Sequence, residues 1–226
     1  MSDSIFSQNF EWWDTDKNKS LVALHSFNKS RLQYILNYFN KMQLQTTNMK
    51  FLDYGCGGGL LCEPLSKLGF DITGYDLDVE AAKNHSNINS FNIKYINNFE
   101  NLIDNDIRYD VIFCLEMLEH VKDYSLEIQK ISQLLKTNGL IFFSTINKNL
   151  KSFVLMKIIA ENILNLVPKN IHSFDMFIKP SDLISVCKNC NLELIDLSGM
   201  SYNPITTKSC ITKNTDVNYI SIFQKK

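Results

Sequence analysis

From Met49 onward the apolar positions alternate between two periods. Lys50–Tyr54, a short apolar run ending in glycines, and Asp71–Tyr75, Ile93–Ile96 and Asp110–Cys114 read as strands, while Leu60–Leu68 carries helical spacing, Val79–Ser90 reads as a polar helix and Leu126–Leu135 as a further helix. Gly69 is expected to stop the first of these helices and Asn138-Gly139 the third. Leu140–Thr145 (LIFFST) is a continuous β-rich run, the pattern of a strand covered on both faces. Strand and helix in alternation predict an α/β fold, a doubly wound, mostly parallel sheet with right-handed crossovers. Further on come an amphipathic stretch at Lys151–Val167, a helix from about Pro180 to Asn189, and strands near Leu192–Leu197 and Val217–Phe223. The segment before Met49 reads as helical, most clearly at Arg31–Asn40.

There is no internal repeat and no Pro/Gly/Ser linker, so residues 1–226 are expected to form one domain. Its expected parts are a helical cap at 1–48, a ligand-binding core at 49–146, an amphipathic insertion or lid at 147–180, and a C-terminal helix with strands at 181–226. In such sheets ligands sit beyond the carboxyl ends of the strands. The loops after Tyr54, Tyr75 and Cys114 should therefore share one site.

Composition narrows the chemistry. The 23 basic and 24 acidic residues leave a net charge of −1, which gives no footprint for nucleic acid, and no Asn/Asp-Pro-Pro-Tyr base pocket is present. Only Arg31 and Arg108 are arginines, and a bidentate carboxylate contact is not easily passed to lysine. The six cysteines are scattered and the N-terminus has no export signal, which together predict a reducing cytoplasm. Cys187-Lys-Asn-Cys190 is half a zinc site, a redox pair, or simply two thiols on one helix face. No apolar run reaches the roughly 18–20 residues of a membrane span.

The first strand ends in Asp53-Tyr54-Gly55-Cys56-Gly57-Gly58-Gly59. Glycines there let the backbone approach a ligand at a helix start. A dinucleotide fingerprint needs a glycine at the sixth position, where Leu60 stands. The pattern is instead G-x-G-x-G preceded by an acid, which disfavours a pyrophosphate and suits a ligand carrying an ammonium and a sulfonium. Asp76, ending the second strand 21 residues past Gly55, is placed to accept both hydroxyls of a ribose.

At these residues the chain resembles the class I S-adenosylmethionine-dependent methyltransferases. Tyr109–His120 (YDVIFCLEMLEH), Phe142–Asn147 (FFSTIN), Phe177-Ile-Lys-Pro180, Tyr202-Asn-Pro-Ile-Thr206 and Asp216-Val-Asn-Tyr219 are similar to the bacterial ubiquinone biosynthesis O-methyltransferase family, as are Trp12-Trp13-Asp14 and Asn28–Tyr34. The resemblance runs from about Phe10 to the C-terminus. It implies a seven-stranded Rossmann-like sheet with an N-terminal helical lid and a helical insertion after strand 5. It also implies transfer of a methyl group from S-adenosylmethionine to a phenol oxygen of polyprenylated catechols, at both O-methylation steps of ubiquinone synthesis. The cofactor contacts carried over fall on Arg31, as clamp of the methionine carboxylate, and on Gly55, Asp76 and Leu115, the last beside the adenine. Asp53, Gly57 and Gly59 belong to the same loop.

A phenol titrates near pH ~10, so about one part in a thousand is ionised at pH 7, roughly 4 kcal/mol uphill. A base or a Lewis acid must close that gap. Glu116-Met-Leu-Glu119-His120 follows the fourth strand at spacings that share one face if helical. It offers Glu116 or His120 as catalytic base, or Glu116, Glu119 and His120 as ligands for Mg²⁺ or another divalent cation; loop-orienting scaffold is the plain alternative. His85 reads as a surface residue, whereas His25 and His172 flank the expected substrate side. In Lys151–Val167 the apolar Phe153, Met156, Ile159, Ile163, Leu166 and Val167 face a narrow polar stripe of Lys157, Glu161 and Asn165, ringed by Lys148, Lys151 and Lys169. That is a core or lid helix, or a surface meeting anionic lipid and making the enzyme peripheral at the inner membrane. Trp12 and Trp13 are expected to cover the cofactor. Other enzymes of ubiquinone synthesis are conceivable partners. Competing readings are C- or N-transfer to another small molecule, and a non-catalytic S-adenosylmethionine-binding protein.

Overall fold

A computed structural model of the chain describes residues 12–13, 19–103, 107–155, 174–203 and 205–226. Its strands are β1 (Lys50–Tyr54), β2 (Asp71–Tyr75), β3 (Lys94–Ile96), β4 (Tyr109–Leu115), β5 (Leu135–Ile146), β6 (Leu192–Asn203), β7 (Lys208–Thr212) and β8 (Asn218–Lys225). Its helices are α1 (Lys19–Lys41), α2 (Cys62–Lys67), α3 (Glu80–Ile88), α4 (Glu100–Ile103), α5 (Tyr124–Leu134), α6 (described over 150–155) and α7 (Pro180–Asn189). The strands form one sheet in the order β3-β2-β1-β4-β5-β8-β6-β7. The first five run parallel to one another, and β8 runs antiparallel to both β5 and β6.

The continuous apolar strands are buried on both faces, as their composition requires. On one face, Ile35 and Phe39 of α1 pack with Phe51, Phe113, Phe142 and Ile222; on the other, Leu52, Ile112, Phe143, Tyr219 and Phe223 meet α5 and α7. Alternation along β5 therefore sends Phe142 toward α1 and Phe143 away from it. α1 is fastened to the far edge as well. Ser30 Oγ donates to the Ser209 carbonyl (3.0 Å), the Ser209 amide donates to Ser26 Oγ (2.8 Å), and the Tyr34 hydroxyl donates to Asp196 of β6.

The sheet has eight strands rather than the seven expected. β7 reads KSCIT, short, polar and nowhere fully buried, so it carries no apolar alternation to announce it; it pairs with β6 and lies under α1. Asn138-Gly139 does not stop a helix. α5, capped at its start by the Asp123 carboxylate accepting from the Leu126 amide (3.0 Å), ends at Leu134, and Leu135 is already extended. Leu135 pairs with Tyr109 and Leu140 with Val111, so residues 136–139 bulge out, with Asn138 left-handed at φ 62°. The helix expected over Leu60–Leu68 is confined to the six residues of α2.

Strand order reverses between β1 and β4, and it is beyond the carboxyl ends of the strands at such a switch point that sheets of this kind take their ligands.

Candidate cofactor and acceptor site

The glycine loop leaves β1 and is tied at once to β2. The Gly55 and Cys56 amides both donate to the Tyr75 carbonyl (2.8 and 3.0 Å), and the Gly57 amide donates to Asp76 Oδ2 (2.8 Å). The Asp78 amide reaches Asp76 Oδ1 at 3.4 Å. Burial pushes the Asp76 carboxyl above its ordinary range, while these backbone N–H groups hold it down. Two positions show why the loop must be glycine. Gly55 is left-handed (φ 85°), and a Cβ there would stand 2.5 Å from Met117 Cγ. A Cβ on Gly58 would stand 2.2 Å from Trp12 Cγ.

Trp12 and Trp13 lie on this loop. The Trp13 indole N–H donates to the Gly58 carbonyl (3.2 Å), and its ring stacks on His85 at 4.0 Å and 5°. His85 Nδ1 is 2.7 Å from Glu63, and His25 Nε2 is 2.9 Å from the Trp12 carbonyl. His85 is thus half-buried beneath an indole rather than a free surface residue, and His25 anchors the tryptophan pair. Trp13 lacked any local periodicity that would reveal this, because the contact spans 72 residues.

Asp53 stands behind the loop, 4% exposed, accepting from the Cys62 thiol at 3.4 Å. Burial lifts its carboxyl to about 7, with the thiol opposing and the Asp76 charge adding to the rise. Cys187 and Cys190 are free, the first buried in α7 and the second at its C-cap.

Past β4 the chain turns at Glu116, a non-glycine residue at φ 54° held by its amide donating to the Ser144 carbonyl (2.9 Å). Such a conformation costs about 1–3 kcal/mol and persists only where the surroundings impose it. Glu116 Oε1 takes both Arg31 Nη2 (2.8 Å) and Ser144 Oγ (2.9 Å), so neither bond uses Oε2. Arg31 is 3% exposed, its guanidinium 5.4 Å from the Phe27 ring centre, and its Nε has no hydrogen-bond partner among the described residues. Leu115 ends β4 half-buried, paired with Ser144. Contacts therefore run unbroken from Asp76 through Gly57 and Gly55 to Met117, Glu116 and Arg31.

Glu116, Glu119 and His120 do not converge. Only Leu118–His120 is helical, as one 3-10 turn, so the shared helix face does not form. Glu116 meets Ser144, whereas Glu119 accepts from Thr145 Oγ1 (2.8 Å), and successive β5 residues point to opposite faces. His120 is exposed while Glu119 is 2% exposed. Among the described residues no group of three His, Cys, Asp or Glu side chains could hold a metal ion. The proposed metal set does not fit a divalent cation. S-adenosylmethionine does fit: the orphaned Arg31 Nε calls for a carboxylate, and the loop and Asp76 offer backbone and acceptor groups beside it.

The sequence reading does not single out Ser144 and Thr145, although polar side chains ending an otherwise apolar buried strand are visible at 144–145. Met156, Lys157, Ile159, Glu161, Ile163, Asn165, Leu166, Val167, Lys169 and His172 lie outside the described residues. No described helix is long and apolar enough to cross a membrane.

Residues 24–197 match a methyltransferase domain family. Among solved structures, the chain is similar to magnesium protoporphyrin IX methyltransferase from Synechocystis, solved with bound SAH (TM-score 0.64, 18% identity, 91% of this chain and 85% of that one). It is also similar to an S-adenosylmethionine-dependent methyltransferase from Aquifex aeolicus (TM-score 0.62, 13% identity, 95% and 100%). These likenesses establish the fold. Much closer in sequence are proteins named ubiquinone biosynthesis O-methyltransferase. That of Pelagibacter ubique is 39% identical over 95% of this chain and 92% of its own length, and that of Colwellia psychrerythraea 40% over 95% and 91%. With such identity along nearly the whole of both chains, this protein belongs to the ubiquinone biosynthesis O-methyltransferase family, on a class I methyltransferase fold.

Proposed function

We propose that the chain transfers the methyl group of S-adenosylmethionine to a phenol oxygen of polyprenylated catechol intermediates, at both O-methylation steps of ubiquinone synthesis. The observation that carries this reading is the buried Arg31, paired on one side with Glu116 and with an Nε that has no partner among the described residues. S-adenosylmethionine, when bound, supplies an electrophilic methyl on sulfur. Arg31 would hold its carboxylate, Asp76 its ribose hydroxyls, and Leu115 would flank the adenine. Asp53, behind the loop, would answer the positive charge.

The phenol proton has two candidate acceptors. Glu116 has an oxygen that neither Arg31 nor Ser144 occupies, and it follows directly on the carboxyl end of β4. His120 stands exposed on the turn just beyond. Glu116→Gln and His120→Ala separate them: the true base loses turnover by about 10²–10⁴-fold with cofactor affinity retained. No step is routed through a divalent cation.

A prenyl tail needs an apolar exit, and Leu150, Val154 and Leu155 stand exposed just past β5. Flotation with anionic vesicles tests a lipid contact there; Leu150→Ser with Leu155→Ser should abolish it. The decisive experiment is incubation with S-adenosylmethionine and a short-chain prenyl catechol. An O-methylated product is expected. A C- or N-methylated product would move the chain to another reaction, and cofactor binding without any product would make it a non-catalytic binder.

A further inference from the structure

Two buried side-chain polar atoms have no hydrogen-bond partner among the described residues: Arg31 Nε, already assigned, and Asn218 Oδ1. Asn218 opens β8 and is 6% exposed. Its ladder partners are Ile146 on β5 and Met200 on β6, both 2% exposed and apolar. A buried amide oxygen between apolar neighbours is destabilising unless something arrives to donate to it.

Register says where it points. Ser144 pairs with Ile220 and Ile146 with Asn218, and directly paired residues share a face. Asn218 therefore lies on the face of Ser144, Glu116 and Arg31, at the same carboxyl end of β5. Holding the local backbone does not occupy it. That task falls to its neighbours: the Asn147 amide donates to the Val217 carbonyl (2.7 Å), Asn147 Nδ2 to the Thr215 carbonyl (2.9 Å), Asn149 Nδ2 to the Asp216 carbonyl (2.5 Å), and Lys151 pairs with Asp216 (2.6 Å). The rest of this turn is used, and the Asn218 oxygen is not.

We infer that Asn218 Oδ1 receives a hydroxyl of the acceptor, the one adjacent to the hydroxyl being methylated. An amide oxygen accepts a hydrogen bond but is far too weak a base to take the proton, so it suits the spectator hydroxyl and not the attacking one. Glu116 and His120 are left for the attacking oxygen. Asn218 is then the residue that selects vicinal diols over monophenols, because a monophenol leaves its oxygen orphaned. This inference rests on the catechol reading above.

The test compares kcat/KM for a short-chain prenyl catechol and the matching monophenol, in wild type, Asn218→Leu and Asn218→Asp. Wild type should prefer the catechol by about 10–100-fold, the worth of one buried hydrogen bond. N218L, of similar volume and without the orphan, should bring the ratio near unity, with S-adenosylhomocysteine affinity unchanged and Tm equal or higher. N218D keeps an acceptor and should keep the preference. A wild-type ratio in N218L, no preference in wild type, or a collapsed ratio in a folded N218D would each overturn the assignment. So would a loss of Tm or of S-adenosylhomocysteine affinity in N218L, which would mark a structural role. Should wild type bind S-adenosylhomocysteine yet methylate neither phenol, the catechol reading itself fails. Calorimetric binding of the catechol to that complex, wild type against N218L, then still decides Asn218: weakening of about tenfold or more supports it and equal affinity removes it.

Discussion

The two halves of the sheet solve different problems by different means. On the β3-β2-β1-β4 side, the candidate cofactor loop is held mostly by backbone: the Gly55, Cys56 and Gly57 amides are spent on Tyr75 and Asp76, within 22 residues of one another. On the β5-β8-β6-β7 side, side chains brought from far apart, Ser144 and Asn218, share one face, and the strands are pinned to α1 through Ser209 and Asp196. A backbone cradle suits a ligand common to many enzymes, because side-chain identity matters little in it. Side chains contributed by distant strands can be altered singly, which is what acceptor specificity needs. The halves meet at Glu116, the strained residue between β4 and β5.

The division predicts which measurement each substitution moves. Gly58→Val, which would drive a Cβ into Trp12, should weaken S-adenosylhomocysteine binding by about 100-fold or more. It should leave the β5–β8–β6 ladder folded, as hydrogen exchange would report. Arg31→Met comes next and should move both halves, since it leaves the half-buried Glu116 carboxylate without its cation, at a cost of about 1–3 kcal/mol. Tm and cofactor affinity fall together, and Arg31→Lys does not restore affinity because it lacks the planar fork. Smaller still is Trp13→Ala. Loss of the stack on His85 and the bond to Gly58 should weaken cofactor binding about tenfold by calorimetry, without touching the catechol-to-monophenol ratio. A changed ratio in that variant would erase the distinction between the halves.

The same division explains what the sequence disclosed. β1 and β2 were legible to the residue, because Lys50–Tyr54 runs straight into the glycine loop, Asp71–Tyr75 begins two residues after Gly69, and the acid-glycine pattern is local. β7 was not, since KSCIT owes its strand state to β6 and to the serines of α1. The bulge at 136–139 was misread because Asn138 serves equally as a helix stop and as a left-handed bulge residue. The Glu116–His120 segment failed for a related reason. Helical spacing groups its side chains on paper, but the parity of Ser144 and Thr145 in a neighbouring strand decides which way Glu116 and Glu119 face.

Glu119 offers the finest test of that parity. Burial first, and the Glu116 charge second, lift its carboxyl from an ordinary 4.5 to about 8. Between those values the unfolded chain releases the proton while the folded chain keeps it. The folded state thus binds more protons, and stability falls as pH rises through the window. Glu119→Gln is neutral at every pH and can accept the Thr145 hydroxyl in the same way. Its Tm should match wild type below about pH 4.5 and exceed it increasingly up to pH 8, by at least about 2–4 °C, the value of roughly 1 kcal/mol in a chain this size. Asp53 imposes a similar slope but is common to both proteins, so the difference isolates Glu119. A lower Tm for E119Q at pH 8, reversed only by the wild-type carboxylate with added Mg²⁺, would mean that Glu119 works as an ionised ligand. Glu119 would then have to turn from Thr145 toward Glu116, and the separation of the two faces at β5 would be lost.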